Sequence, residues 1–352
     1  MMRLRWMGAA AVTLVLAAAA AGCGGDDGSA PATTGAAATT EAAPPLKVGL
    51  ITDLGQLDDN GFNELAYNGL KRAQRELGIQ GRVVESKSAA DYIPNMTALV
   101  RQGYDLIIGV GYAQGESVDQ AAVKFPNVKF AIVDVDQAGL EHAPANVQGL
   151  LFREEQVGYL VGYLAGLTEQ RRGAKQIVSA VGGFKEPPVD RFIAGYRAGA
   201  EAAAPGTTVL YRYSSDWDDQ AKCKELALNQ IAAGSGVVFQ VAGGCGLGAL
   251  SAAADKGVWG IGVDADQSFL GPHMLTSALK GVDEAVFLTI KAVLDGTWTG
   301  GGNAVFGLDV NGVGLGTISS KVPQEDLDAL DKVKADIASG KIKDIPTAVA
   351  EG

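Results

Sequence analysis

The sequence predicts an α/β protein of two doubly wound parallel-sheet lobes joined by a three-segment hinge. Three observations predict it. From residue 46 onward, apolar β-rich runs alternate with amphipathic helical patterns almost without a break, which implies parallel sheets covered on both faces. The alternation restarts after Phe152, and the 307 residues from Leu46 to Gly352 are too many for one such sheet but comfortable for two. The motif Val-Asp-x-Asp-Gln ends a strand twice, at 133–137 and at 263–267.

In the first series the strands are "LKVGLIT", "GRVVES", "DLIIGV" and "VKFAIV". Between the first two, Phe62, Leu65, Ala66, Leu70, Ala73 and Leu77 fall on one face of a helix. The second series opens with a long apolar helix, "REEQVGYLVGYLAGL", and continues through "KQIVSAVG", "TTVLYRY", "SGVVFQVAG" and "VWGIGVD". Beyond the second acidic motif come "HMLTSALKG", a helix from about Val282 to Thr297, "NAVFGLDV", "GVGLGTIS" and a last helix from Pro323 to Gly340. Three crossings are expected, at Phe152–Glu155, Gly271–Leu275 and Leu308–Gly312. They divide the chain into a first lobe of 46–153 plus 275–309 and a second of 154–274 plus 310–352. Three connections of this kind form a hinge that permits closure over a ligand.

The first residues concern location. "MMRLRWMGAAAVTLVLAAAAAGC" has a basic start, a short apolar stretch and small residues before Cys23, the pattern of a lipoprotein signal spanning 1–22. Cys23 would carry the lipid and anchor the chain to the extracytoplasmic face of the cell membrane. Residues 23–45 are Ala, Thr, Gly and Pro with little to bury and read as a disordered tether, on the order of 25 Å in reach. After cleavage 27 basic and 40 acidic residues remain, a charge of −13 that makes nucleic acid a poor partner. Only His142 and His273 occur, which argues against a histidine-based hydrolase or metal site; no metal and no cofactor are expected.

Other features invite chemistry. Gly244, Gly246 and Ala249 satisfy G-x-G-x-x-G/A after a strand, with Asp264 about twenty residues on, the outline of a dinucleotide fingerprint. The competing reading is that these glycines admit a bound ring and start a helix. Once Cys23 is lipidated, Cys223 and Cys245 are left to pair as a disulfide, or to remain as two buried thiols. A bond would tie the Trp217 loop to the glycine turn. Trp217 either covers the core edge or stacks on a planar ligand; Phe62 either packs in the core or supplies a second stacking face. Lys280 ends a strand and either meets solvent or points into the cleft near Asp264.

Together "VGLITDLGQLDDNGFNELAYNGL", "FREEQVGYLVGYLAG", "GGFKEPPVDRFIAGYRAG", "AGGCGLGAL", "GVDADQ" and "LTSALK" resemble the basic membrane protein family of substrate-binding lipoproteins, which includes the purine nucleoside receptor A group. The resemblance implies a type I periplasmic-binding-protein fold, no enzymatic activity, a monomer, a purine nucleoside as ligand and an ABC transporter permease as partner. It assigns the ligand to Asp53, Phe62, Asn63, Asp134, Trp217, Gly243, Gly244, Asp264 and Lys280, with the two aromatics sandwiching the base and the carboxylates holding base nitrogens and ribose hydroxyls. Trp217 stands where the family usually has Phe, and Cys245 where it has Thr. Asp53, Asp58 and Asp59 at a strand end would repel a phosphate, whereas carboxylates accept strong bonds from hydroxyl and N–H donors. The alternatives are a sugar receptor of the same fold, or an exported nucleotide-dependent enzyme using the Gly244–Ala249 turn.

Overall fold

The structure, a computed structural model, describes residues 44–173 and 175–349. The expected signal segment, Cys23 and all but the last two residues of the expected tether lie outside the described residues. Among the described residues no helix is long and apolar enough to cross a membrane.

The first sheet takes β1 (Lys47–Ile51), β2 (Gln80–Val84), β3 (Leu106–Gly109), β4 (Lys129–Val133) and β5 (Val147–Phe152), with α1 (Phe62–Leu77), α2 (Tyr92–Arg101) and α3 (Gly115–Lys124) between them. After α4 (Glu154–Arg172) the pattern repeats as β6 (Ile177–Gly182), α5 (Pro187–Ala203), β7 (Thr208–Tyr213), α6 (Gln220–Ala232), β8 (Val237–Val241), α7 (Gly243–Lys256) and β9 (Trp259–Asp264). The chain ends with β10 (Met274–Lys280), α8 (Val282–Leu294), β11 (Gly302–Phe306), β12 (Val313–Leu315) and α9 (Gln324–Ala338). The sheets run β11-β5-β4-β3-β1-β2 and β12-β10-β9-β8-β6-β7. Every pairing is parallel except β10 with β12.

Continuous apolar runs explain the buried strands: all four residues of β3 and all five of β8 are buried, as a sheet covered on both faces requires. On α1 the apolar stripe turns Ala66, Leu70 and Ala73 inward, and Gly78 ends the helix in the left-handed conformation at φ 69°.

One crossing differs from the sequence expectation. Strand β10 pairs in parallel with β9, Leu279 opposite Asp264, and so belongs to the second sheet; the chain crosses after Lys280 and not at 271–275. Residues 275–280 therefore leave the first lobe assigned to them. A short apolar strand carries no mark of which sheet it joins, and here it joins the open side of β9. The chain then returns to the first lobe, where α8 packs on α1 and β11 pairs with β5, before β12 closes the second sheet antiparallel to β10.

Candidate functional site

Both sheets reverse their strand order, between β1 and β3 in one and between β6 and β8 in the other. A crevice opens at the carboxyl ends of strands at such a switch point, which is where open α/β sheets bind ligands. Asp53 follows β1, Gly183 follows β6 and Gly243 follows β8. The two crevices face one another across a cavity of about 630 Å³, its openings included, within the usual size for small-molecule sites. Asp53, Phe62, Asn63, Asp134, Trp217, Gly243, Gly244, Asp264 and Lys280 all line it.

The acidic repeat is structural as well as sequential. Asp134 and Asp264 both adopt left-handed backbone, at φ 72° and 62°, a conformation that Asp tolerates better than most residues. Two residues on, Asp136 accepts the Ala138 N–H and Asp266 the Ser268 N–H, each starting a 3-10 turn. Gln267 then donates to the Asn60 carbonyl at 3.1 Å, a bond from one lobe to the other.

Lys280 is buried, and its ammonium lies 2.7 Å from Asp134 and 2.9 Å from Glu154. Phe62, Phe152 and Phe192 surround it, their ring centroids 5.1, 4.9 and 5.9 Å from Nζ. Burial works against the charge, but Asp134, Glu154 and Asp264 outweigh it and hold the ammonium above its ordinary pKa. The reading of Lys280 as a solvated charge is therefore wrong; it neutralises the acids where the lobes meet.

The acid-rich loop after β1 divides its duties. Asp59 accepts N–H bonds from Gly61, Asn63 and Glu64, satisfying the orphan donors at the start of α1. Asp58 is exposed. Asp53 accepts from the Leu54 N–H and the Tyr92 hydroxyl, both at 2.7 Å, while Asn63 accepts the Asp53 N–H at 3.2 Å.

Trp217 sits in a tightly tied loop. Asp216 accepts the N–H groups of Asp218 and Asp219, Asp219 caps α6, and the Trp217 carbonyl accepts the Cys245 N–H at 2.8 Å. The ring is half-buried against Phe184, centroids 5.4 Å apart. Cys223 and Cys245 are joined by a disulfide, Cα atoms 5.6 Å apart, linking the first turns of α6 and α7. Cys223→Ser is expected to lower stability by about 3 kcal/mol on the chain-entropy model, given the 22-residue separation; urea unfolding with and without reductant checks it, the variant matching reduced wild type.

Of the apparent fingerprint, Gly244 and Asp264 line the cavity, while Ala249 is buried within α7. Gly246 and Gly248 lie inside α7, where an added Cβ would sit 1.8 Å from Gln240 Oε1 and from the Gln220 carbonyl respectively. They permit close packing, not phosphate binding. Neither histidine lines the cavity, and His142 bonds Asp119 at 2.6 Å.

Burial pushes the Asp53 carboxyl up to about 6 against the pull of Tyr92 and the Leu54 N–H, and Asp264 up to about 7 despite Lys280. Glu186, a lining residue that sequence reasoning passed over, is likewise raised to about 7 by burial and then by Asp53 and Asp134. These carboxyls ionise near pH 4 when unfolded, so the protonated form is favoured by folding. Their contribution to stability is present below pH 4 and lost as pH rises through 6 to 7. The ligand-free protein is therefore expected to melt lower at pH 7.5 than at pH 5.5, and Asp264→Asn to flatten that slope. Parallel melting curves for the two proteins would contradict it.

Sequence reasoning also left out Phe192, Tyr112 and Gly111, and it assigned Asp59 no place in the lining. Phe192 follows the apolar period of α5 and reads as ordinary core. Glu186 precedes a Pro-Pro pair and reads as a helix-start acid.

Residues 46–346 match the model of a family described as ABC transporter substrate-binding protein PnrA-like. The ABC transporter nucleoside-binding protein BmpA of Lactococcus lactis is 32% identical over 84% of this chain and 88% of its own length. An uncharacterized lipoprotein of Pyrococcus horikoshii is 33% identical over 87% of this chain and 76% of its own. Among solved structures, an ABC transporter solute-binding protein from Aeropyrum pernix superposes with a TM-score of 0.78 at 28% identity, covering 86% of this chain and 94% of that one. A second, from Conexibacter woesei, gives 0.69 at 26% identity, covering 86% and 100%.

Proposed function

The chain belongs to the family of PnrA-like substrate-binding proteins of ABC transporters, receptors and not enzymes, and from that premise we propose that it captures a purine nucleoside between its lobes and delivers it to a permease. The observation that carries this reading is the balance of the cavity lining. It offers several carboxylate acceptors, a single lysine already paired with two acids, and the aromatic rings of Phe62, Trp217 and Phe192. Such a lining repels phosphate and suits a neutral ligand with a planar ring and many hydroxyl and N–H donors. In this reading Asp264, whose carboxyl takes no hydrogen bond or ion pair among the described residues, accepts ribose hydroxyls, and Trp217 stacks on the base. A lipid on Cys23 would hold the receptor at the extracytoplasmic face of the membrane as a monomer, in keeping with relatives that are named lipoproteins.

The test is calorimetric titration of purified protein, unfolded and refolded to strip carried-over ligand, against inosine, guanosine, adenosine, uridine, ribose and glucose. Tight binding of a purine nucleoside is expected. Trp217→Ala should weaken it by about 1–3 kcal/mol, roughly 5- to 150-fold in Kd. A response to ribose or glucose with silence toward nucleosides would refute the ligand and leave the transport role standing.

A further inference from the structure

Glu186, like Asp59, is a cavity acid without a counterpart in the family assignment made from sequence. The other lining acids, Asp264 apart, are occupied: Asp59 by three N–H groups, Asp134 by Lys280, and one oxygen of Asp53 by Leu54 and Tyr92. The Glu186 carboxyl takes none of the hydrogen bonds or ion pairs among the described residues. It stands at the N-cap of α5 and makes no side-chain capping bond there; Pro187 and Pro188 leave the first two helical positions without an N–H. An acid left without a partner in a cavity already rich in acids gains nothing from the fold.

Its position separates it from Asp264. The charged and titratable groups that act on Glu186 are Asp53, Asp134 and Lys280, and Glu186 acts in turn on Tyr92. Those acting on Asp264 are Lys280, Asp59, Asp134 and Glu154. Geometry separates the acids as well: an added Cβ on Gly111 would sit 1.9 Å from the Asp53 carboxylate and one on Gly61 3.6 Å from that of Asp264, so the cavity has an Asp53 end, which Glu186 approaches from the second lobe, and an Asp264 end. The Glu186 end is also the stacking end. Three residues earlier, Gly183 lies so close to the Trp217 ring that an added Cβ would sit 2.1 Å from Cζ3. The segment that backs the ring therefore carries the carboxyl, which faces Asp53 from the opposite lobe.

We infer that Glu186 is a specificity residue which, with Asp53, reads the edge of the bound heterocycle and selects adjacent N–H donors over a ring-nitrogen acceptor. Among purine nucleosides the order is guanosine, then inosine, then adenosine. Guanine offers N1–H beside a 2-amino group, a pair that matches the two oxygens of a carboxylate. Hypoxanthine offers N1–H alone, and adenine presents N1 as an acceptor, which a carboxylate repels. The inference rests on the nucleoside reading of the cleft. A site built around a donor rejects the analogue that lacks it, because its own buried group is then left unpaired.

The experiment titrates guanosine, inosine and adenosine into wild type and Glu186→Gln at pH 7, each in two buffers of different protonation enthalpy. Wild type is expected to bind guanosine at least about tenfold tighter than adenosine, with net proton release, since bound guanosine needs Glu186 ionised. Glu186→Gln should lose at least about tenfold for guanosine and under about threefold for adenosine, and release fewer protons. Equal wild-type affinities, or an equal loss for all three ligands in the variant, would overturn the specificity role while leaving the nucleoside receptor intact. Silence toward all three in wild type would overturn both readings together.

Discussion

Replacing Lys280 with Met is expected to destabilise the protein by about 3–5 kcal/mol at pH 7.5 and to abolish ligand binding. The ammonium is the only cation within salt-bridge distance of Asp134 among the described residues, and with Arg191 at 3.7 Å it is one of two around Glu154. Methionine fills much of the same volume among Phe62, Phe152 and Phe192, so the loss is that of charge and not of packing. Two buried acids would remain, and Glu154 is already pushed up to about 7, by burial first and by Asp134, even with Lys280 beside it. Without the lysine Glu154 favours its protonated form further, so the deficit of the variant should shrink as pH falls to 5. Urea unfolding at pH 7.5 and pH 5 measures this. A variant as stable as wild type at both pH values would mean that the buried cluster contributes little to the fold.

Asp264→Ala is expected to raise the Kd for the preferred ligand by about 100-fold or more with little change in melting temperature. Hydrogen bonds to a carboxylate contribute about 1.5–3 kcal/mol each, and two hydroxyls meeting one carboxyl double that. The fold does not need the charge: burial already drives this carboxyl toward its protonated form. Alanine at φ 62° is strained by about 1–2 kcal/mol, which offsets the relief of removing a desolvated acid. Asp264→Asn avoids the strain, keeps one acceptor, and should weaken binding about tenfold. Titration calorimetry beside thermal melts separates the two effects. Unchanged affinity in the alanine variant would remove Asp264 from the ligand site.

The sequence made the architecture legible wherever the signal is periodic. Apolar runs buried on both faces announce parallel strands, and the duplicated Val-Asp-x-Asp-Gln announces two lobes, because a left-handed strand end that starts a 3-10 turn needs the same few residues each time. The nine residues expected at the ligand all line one cavity, since all but Trp217, which lies in the loop between β7 and α6, sit at a strand end or helix start. What stayed hidden depends on tertiary placement. Nothing local tells β10 to extend the second sheet before the chain crosses, and nothing in "FKEPPV" distinguishes an acid turned into a cleft from one facing water. Phe192 shows the same limit, since one ring can close a core and floor a cavity at once. The glycines of α7 mislead in the opposite direction: Gly246 is required by the nearness of Gln240 in β8 and Gly248 by that of Gln220 in α6, and neither is there for phosphate.

The late strands have a consequence for how the chain folds. Strand β11 completes the sheet begun by β1 to β5, yet it is made only after the whole of α4 to α8, and β12 and α9 then finish the lobe that precedes β11. Neither lobe is a contiguous stretch of polypeptide: the first gains its edge strand only after most of the second has been made, and the second gains its own only after the first is complete. Loop closure over such separations is slow and favours one cooperative transition over two independent ones. A chain truncated before Gly302 would leave β5 as an open edge and α8 without the strand that follows it, so the two lobes stand or fall as a single folding unit.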